Sequence, residues 1–296
     1  MKPLTRLRRA VRAQILAALF WCCGFLPLRA ALALGDWLGR LAFRVAGGER
    51  RKALAHLAIA FPEKSDAERL AIARASFAQL GVSALELTQL RKLDVRSYVS
   101  WPPDQIAALQ AALAAGNGGV LAFGHIGNWE LIGPRMVAEG FGGVAVGRDS
   151  GDPYLARRIE DFRRSLGVPI VGRGTPAQGP GATSSLKEIL RALRGGKLVA
   201  VLIDQDTRVD SVFVPFFGRL ARTPKAAEDL ARLSKGCCVV AFIHRKPEGG
   251  HALVTELVDP HEPDLTARLT RRIEDELRAR PTDWVWMHER WKRRPE

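Results

Sequence analysis

The chain is poor in residues that staple or ligate. Its 296 residues contain four cysteines, in two adjacent pairs, Cys22-Cys23 and Cys237-Cys238. Each pair lies in an apolar run, and no C-x-x-C or Cys/His spacing suited to zinc occurs, so no disulfide framework or metal site is expected. The four thiols read as packing residues in a reducing compartment. No internal repeat, low-complexity linker or common nucleic-acid-binding signature is present, and no nucleic-acid partner is expected. No unbroken apolar run reaches the roughly 20 residues of a comfortable membrane span, which excludes a multi-pass membrane protein. Acids are also scarce. Asp and Glu number 31 against 45 Lys and Arg, giving a net charge of +14. That excess points to acidic partners such as anionic lipid, phosphorylated substrates or an acidic protein. The hydrophobic share of 47% and charged share of 26% are ordinary for a folded chain of one large domain or two small ones.

The N-terminus is basic and then apolar. Lys2, Arg6, Arg8, Arg9 and Arg12 precede a run from Ala13 to Leu28 that is interrupted by Gln14, Gly24 and Pro27. A signal peptide cleaved after Ala33 would suit a secreted lipid-binding protein. Arg29 and the continued apolar pattern through Trp37, Leu38 and Leu41 argue against it. A helix that spans the membrane or lies at its surface, with snorkelling arginines, suits the pattern better; an ordinary buried helix is the third reading. Further basic clusters at Arg44–Lys52 and Arg290–Arg294 fit an anionic membrane face. The expected division is an anchor over 1–45 and a catalytic domain over 46–296, helical over 46–115 and α/β over 116–296.

Beyond residue 116, short apolar runs alternate with amphipathic stretches. Strands are expected at Gly119–Phe123, Val144–Val146, Val168–Val171, Leu198–Ile203, Val212–Phe217, Val239–Ile243 and Ala252–Val258. Helices are expected at Trp129–Glu139, with Asn128 as N-cap, at Pro153–Leu166, Ser184–Leu193, and from Thr223-Pro224 to Leu233. Leu265, Leu269, Ile273 and Leu277 mark a last helix, and Ser65-Asp66 cap an earlier one over Ala67–Leu80. Gly172–Gly181 reads as a loop. This alternation predicts an αβα sandwich with a mostly parallel sheet, its two final strands antiparallel.

The segment Gly124-His125-Ile126-Gly127-Asn128-Trp129-Glu130 runs from a strand end to a helix start. Ligands of open α/β sheets bind there, and a histidine there can serve as general base. Glu130, five residues on, can fold back to fix the imidazole tautomer. The bare spacing is weak: six histidines and about one acid in ten residues give roughly 0.6 matches by chance. No Ser or Cys nucleophile adjoins, so the nucleophile would be a substrate hydroxyl. Asp204 and Gln205 end another strand and should point into the same crevice. Asn128, Arg148, Arg164 and Arg173 are further substrate-binding candidates, the arginines for phosphate or an oxyanion.

The G-H-x-G-N-W-E segment resembles the signature of the lipid A secondary acyltransferases, the lauroyl/myristoyl transferases of the lysophospholipid and glycerol-phosphate acyltransferase superfamily. The resemblance extends in order through Ala58–Arg69, Asp204-Gln205-Asp206, Val212–Gly218, Thr223 and Trp284–Lys292. Glu289 and His56 depart from the pattern. The resemblance implies a glycerol-phosphate acyltransferase-like fold. It also implies transfer of a fatty acyl group from acyl carrier protein, with acyl-CoA as the alternative donor, to a hydroxyl of a membrane glycolipid, here a lipid A precursor. His125 would be the base and Glu130 its orienting partner. No cofactor is implied, because a thioester is already activated. The implied location is the cytoplasmic side of the inner membrane. Other glycolipid or lysophospholipid acceptors, such as a phosphatidylinositol mannoside, and a non-catalytic lipid-binding role are the alternatives. The apolar run Phe213–Phe217 is expected to line an acyl groove.

Overall fold

A computed structural model describes residues 3–147, 152–172 and 180–295. Four helices open the chain: α1 (Pro3–Cys23), α2 (Leu28–Val45), α3 (Gly47–Ala60) and α4 (Asp66–Glu86). The segment read as one anchor is thus two helices, parted at Gly24–Pro27, where Pro27 cannot continue α1. Ser65 starts α4 with a full capping box to Glu68. The stretch Asp66–Gln89 is long and apolar enough, by length and composition, to cross a membrane. Helix α2 covers part of it through a glycine crossing. A Cβ at Gly35, Gly39 or Gly81 would collide with backbone of the opposite helix, so only glycine permits this approach.

A seven-stranded sheet follows, in the order β1-β9-β8-β2-β5-β3-β4. Its strands are β1 (Val99–Ser100), β2 (Gly119–Phe123), β3 (Gly143–Gly147), β4 (Ile170–Gly172), β5 (Leu198–Leu202), β8 (Cys237–Arg245) and β9 (His251–Val258). A separate two-stranded hairpin holds β6 (Ser211–Phe216) and β7 (Arg219–Pro224). Strands β8, β2, β5, β3 and β4 run parallel, while β9 turns back antiparallel on β8. The sheet is buried on both faces, which is why its strands read as continuous apolar runs. Val120 and Ala122 enter one core with α9 (Pro180–Arg194), α10 (Ala226–Ser234) and α11 (Leu265–Ala279). Leu121 and Phe123 enter the other with α6 (Pro103–Ala114) and α7 (Ile132–Ala138). The short α5 (Val95–Tyr98) and α8 (Pro153–Ser165) complete the α/β sandwich.

Two expected elements differ. Thr223-Pro224 does not open a helix; it ends β7, and α10 starts at Ala226. The pull of β6, together with Arg290 donating to Thr223 Oγ1 at 2.6 Å, outweighs the local N-cap preference. The helix expected over Trp129–Glu139 is a 3-10 turn at Trp129–Leu131 followed by α7. Asn128 does not cap it with its side chain. Its amide points down to Glu86 Oε2 at 2.7 Å instead. The loop expected at Gly172–Gly181 falls largely on residues outside those described.

Candidate active site

Strands β2 and β5 are parallel neighbours, with Phe123 opposite Leu202. His125 and Asp204 therefore leave the sheet side by side, each two residues beyond the paired positions. Asp204 accepts three hydrogen bonds. The His125 backbone N–H donates at 2.7 Å, His125 Nδ1 at 2.8 Å and Trp284 Nε1 at 2.8 Å. Burial of Asp204 opposes its charge, but His125, then His288 and the Trp284 hydrogen bond, outweigh it and hold the carboxyl well below the usual carboxylate range. An ionised carboxylate only accepts, so His125 carries its proton on Nδ1 and presents Nε2 as a lone pair.

The sequence pointed to Glu130 as the partner of His125, and the geometry differs. Glu130 accepts from Arg163 Nε at 2.8 Å, again from a terminal nitrogen of Arg163, and from Trp129 Nε1 at 3.2 Å. The 3-10 turn carries its carboxylate toward α8 and away from the imidazole. The place facing His125 Nδ1 belongs to Asp204. The loop between them is held from the other side. Gly127, at φ +59°, donates its N–H to the Asp283 carbonyl at 2.8 Å, and Ile126 pairs with Trp284. A Cβ at Gly127 would strike the Ile243 carbonyl oxygen, so this position requires glycine twice over.

His125 stands at the mouth of a cavity of about 430 Å³ lying on the sheet between α7 and α8. Its walls are largely apolar, with Leu121, Ile132, Ala145, Ile159, Ile170 and Ala200 among them. Its polar groups gather near His125 and include Glu130, Arg163 and Gln205. Phe213–Phe217, expected to line an acyl groove, do not line this cavity. Phe216 and Phe217 are buried against Phe61, Trp284, Trp286 and Trp291, as core. Helix α1 packs on the outer side of α8, with Phe20 edge-on to Phe162 at 5.3 Å and Arg158 donating to Gln14 at 2.7 Å.

Of the other candidates, Gln205 lines the cavity beside His125. Asn128 lies buried beneath the loop. Arg164 is exposed on α8 and pairs with Glu160 at 2.5 Å rather than facing the cavity. Arg148 and Arg173 lie outside the described residues. Sequence reasoning missed His288 and Arg163 as members of the site. His288 stacks edge-on to His125 with ring centroids 4.7 Å apart. Its only signal was its place in the Trp284–Lys292 stretch that shares the family resemblance. Trp284 and Trp286 are fully buried. Among the described residues no cluster of His, Cys, Asp and Glu could hold a metal ion.

The arrangement is a carboxylate-oriented histidine opening on an apolar cavity. Comparison with known proteins identifies the family of the chain. The sequence model of the family described as bacterial lipid A biosynthesis acyltransferase matches residues 1–293. The lipid A biosynthesis lauroyltransferase of Escherichia coli (strain K12) is 29% identical over 292 residues, covering 93% of this chain and 90% of that protein. The palmitoleoyltransferase of the same organism is 26% identical over 294 residues, covering 93% and 89%. A phosphatidylinositol mannoside acyltransferase of Mycobacterium tuberculosis (strain CDC 1551 / Oshkosh) is 28% identical over 186 residues; the match covers 62% of this chain and spans 57% of the length of that relative. A match over nearly its whole length places the chain in the bacterial lipid A biosynthesis acyltransferase family.

Proposed function

We propose that the protein transfers a fatty acyl group from acyl carrier protein to a hydroxyl of a membrane glycolipid, a lipid A precursor, at the cytoplasmic face of the inner membrane. The observation that carries this reading is His125 Nε2 opening on an apolar cavity while its Nδ1 is held by ionised Asp204. In the proposed reaction the acyl chain lies in the cavity with its thioester carbonyl at the mouth. His125 Nε2 takes the proton of the acceptor hydroxyl, and the alkoxide oxygen bonds to the carbonyl carbon. Asp204 stabilises the imidazolium. The tetrahedral centre collapses, the carbon–sulfur bond breaks, and His125 returns the proton to the departing thiolate. Ester and thiol are the products.

Two features support the setting. Trp21, Phe25, Trp37, Leu41 and Val45 on α1, α2 and their connection are exposed, beside arginines that suit anionic headgroups. The net charge of +14 attracts an acidic carrier protein. The relatives named for phosphatidylinositol mannoside give a second acceptor to try. The test is acyl transfer in vesicles, from carrier-bound thioesters to a tetra-acylated lipid A precursor or to a phosphatidylinositol mannoside, read as the mass of one added acyl group. Addition by wild type and loss with His125→Ala is the expected result. No product with either acceptor overturns the assignment.

A further inference from the structure

An acyl transfer through a tetrahedral centre needs a hydrogen-bond donor beside the base, for the oxygen that becomes negative. Among the described residues, Trp129, Arg163 and Gln205 bring side-chain N–H groups to the cavity that His125 faces. The Trp129 indole and two nitrogens of Arg163 are committed to the Glu130 carboxylate. Gln205 is placed differently. Its amide nitrogen lies 3.4 Å from His125 Nε2 and 2.9 and 3.3 Å from the Nε2 and Nδ1 of His288, so it faces the imidazole ring rather than one nitrogen's lone pair. An amide nitrogen has two hydrogens to donate. One goes to His288, and the second is left beside His125 Nε2, where hydroxyl and thioester carbonyl must meet.

We propose that Gln205 is the oxyanion donor of the reaction and that His288 is a positioning residue that keeps the amide turned nitrogen-first. The proposal rests on the acyl-transfer reading above. An amide side chain has two nearly isosteric orientations, and the wrong one would aim an oxygen at the developing negative charge. The electron-rich face of a neutral imidazole accepts an amide N–H and repels the amide oxygen. Burial, and next the adjoining His125, bring His288 down to about 4, so it is neutral near pH 7. Gln205 follows Asp204 directly. One dipeptide at the end of β5 thereby sets the tautomer of the base and supplies the oxyanion donor.

The test uses the full chain in vesicles with a carrier-bound thioester and a glycolipid acceptor. Gln205→Leu is expected to lower kcat about 10²- to 10³-fold, with the KM for the acyl donor within about threefold. His288→Leu fills much of the space but offers no ring face to the amide, and should lower kcat by about tenfold or more. His288→Phe keeps a negative ring face toward the amide and should recover most of that loss. Because His288 acts through Gln205, the double variant Gln205→Leu/His288→Leu should be no slower than Gln205→Leu alone. Additive losses, a rise in KM at unchanged kcat, or a Gln205→Leu enzyme within threefold of wild type would each overturn the proposal. A His125→Ala enzyme as active as wild type would instead bring down the acyl-transfer reading itself.

Discussion

Two buried carboxylates, Asp204 and Glu86, make opposite use of the same materials. Glu86, at the end of α4, is fully buried and accepts five hydrogen bonds: two from Arg245 at 2.8 Å each, one from His251 Nε2 at 2.9 Å, one from Asn128 at 2.7 Å and one from the Tyr98 hydroxyl. Every direction around it is occupied. Asp204 accepts three, and its histidine keeps a ring nitrogen facing a cavity. A saturated carboxylate ties elements together; one whose partner remains unsaturated can move a proton. The histidines make the difference. His251 is sealed at 0% exposure, and His125 sits at an opening.

The largest expected effect falls on the open cluster. Asp204→Asn preserves shape but releases the His125 tautomer, and kcat should drop by about 10³- to 10⁴-fold with little change in thermal midpoint. A variant that kept its rate would remove the distinction between the two sites. At the closed cluster the balance should reverse. Glu86→Gln leaves Arg245, whose side chain is 20% exposed, without its counter-charge, at a cost of about 3 kcal/mol. For a chain of this size that is roughly 10 °C of melting temperature, while the enzyme that remains folded keeps its pH–rate shape.

Proton linkage sharpens the contrast. Burial works against the charge on Glu86, but His251 and Arg245 outweigh it and bring its pKa to about 2 from 4.5. A carboxyl whose folded value is depressed stabilises the fold above its unfolded pKa and loses that contribution as pH falls through the folded one. Glu86 should therefore supply about 3 kcal/mol near neutrality, withdrawn between about pH 5 and pH 2. Chemical denaturation across that range should show a slope that is smaller in Glu86→Gln. The smallest effect concerns Glu130. Because it holds Arg163, Glu130→Gln and Arg163→Gln should each slow transfer by about tenfold, and the double variant should be no worse than either single one. Independent, multiplying losses would show that Glu130 acts on His125 by itself.

Much of this was legible in the chain. Strand β2 is a five-residue apolar run followed by Gly124, and α11 repeats leucine and isoleucine every four residues, so local pattern sufficed. The site was legible only in part, because its key contact joins residues 79 positions apart. His125 to Glu130 is a short-range spacing, and Asp204 reaches His125 only through the parallel pairing of β2 with β5. The spacing also misleads elsewhere. His251 and Glu256 share it, but an odd separation on a strand sends the two side chains to opposite faces. The Glu86 cluster could not be read at all, since it draws on α4, α5, β8, β9 and the catalytic loop together.

The glycine crossing of α2 on α4 reaches further than local packing. Trp37 and Leu41 stand on the outer surface of α2; α4 is locked to α2 backbone against backbone; Glu86 ends α4; and Asn128, three residues from His125, hangs from Glu86. The linkage from the outer apolar surface to the base thus passes through contacts with no slack and no flexible connector. It works like a carpenter's square: whatever angle the outer helix takes against a lipid surface, His125 takes with it. In the membrane setting proposed above, the tilt of the protein on that surface would set how far above the headgroups an acceptor hydroxyl must rise.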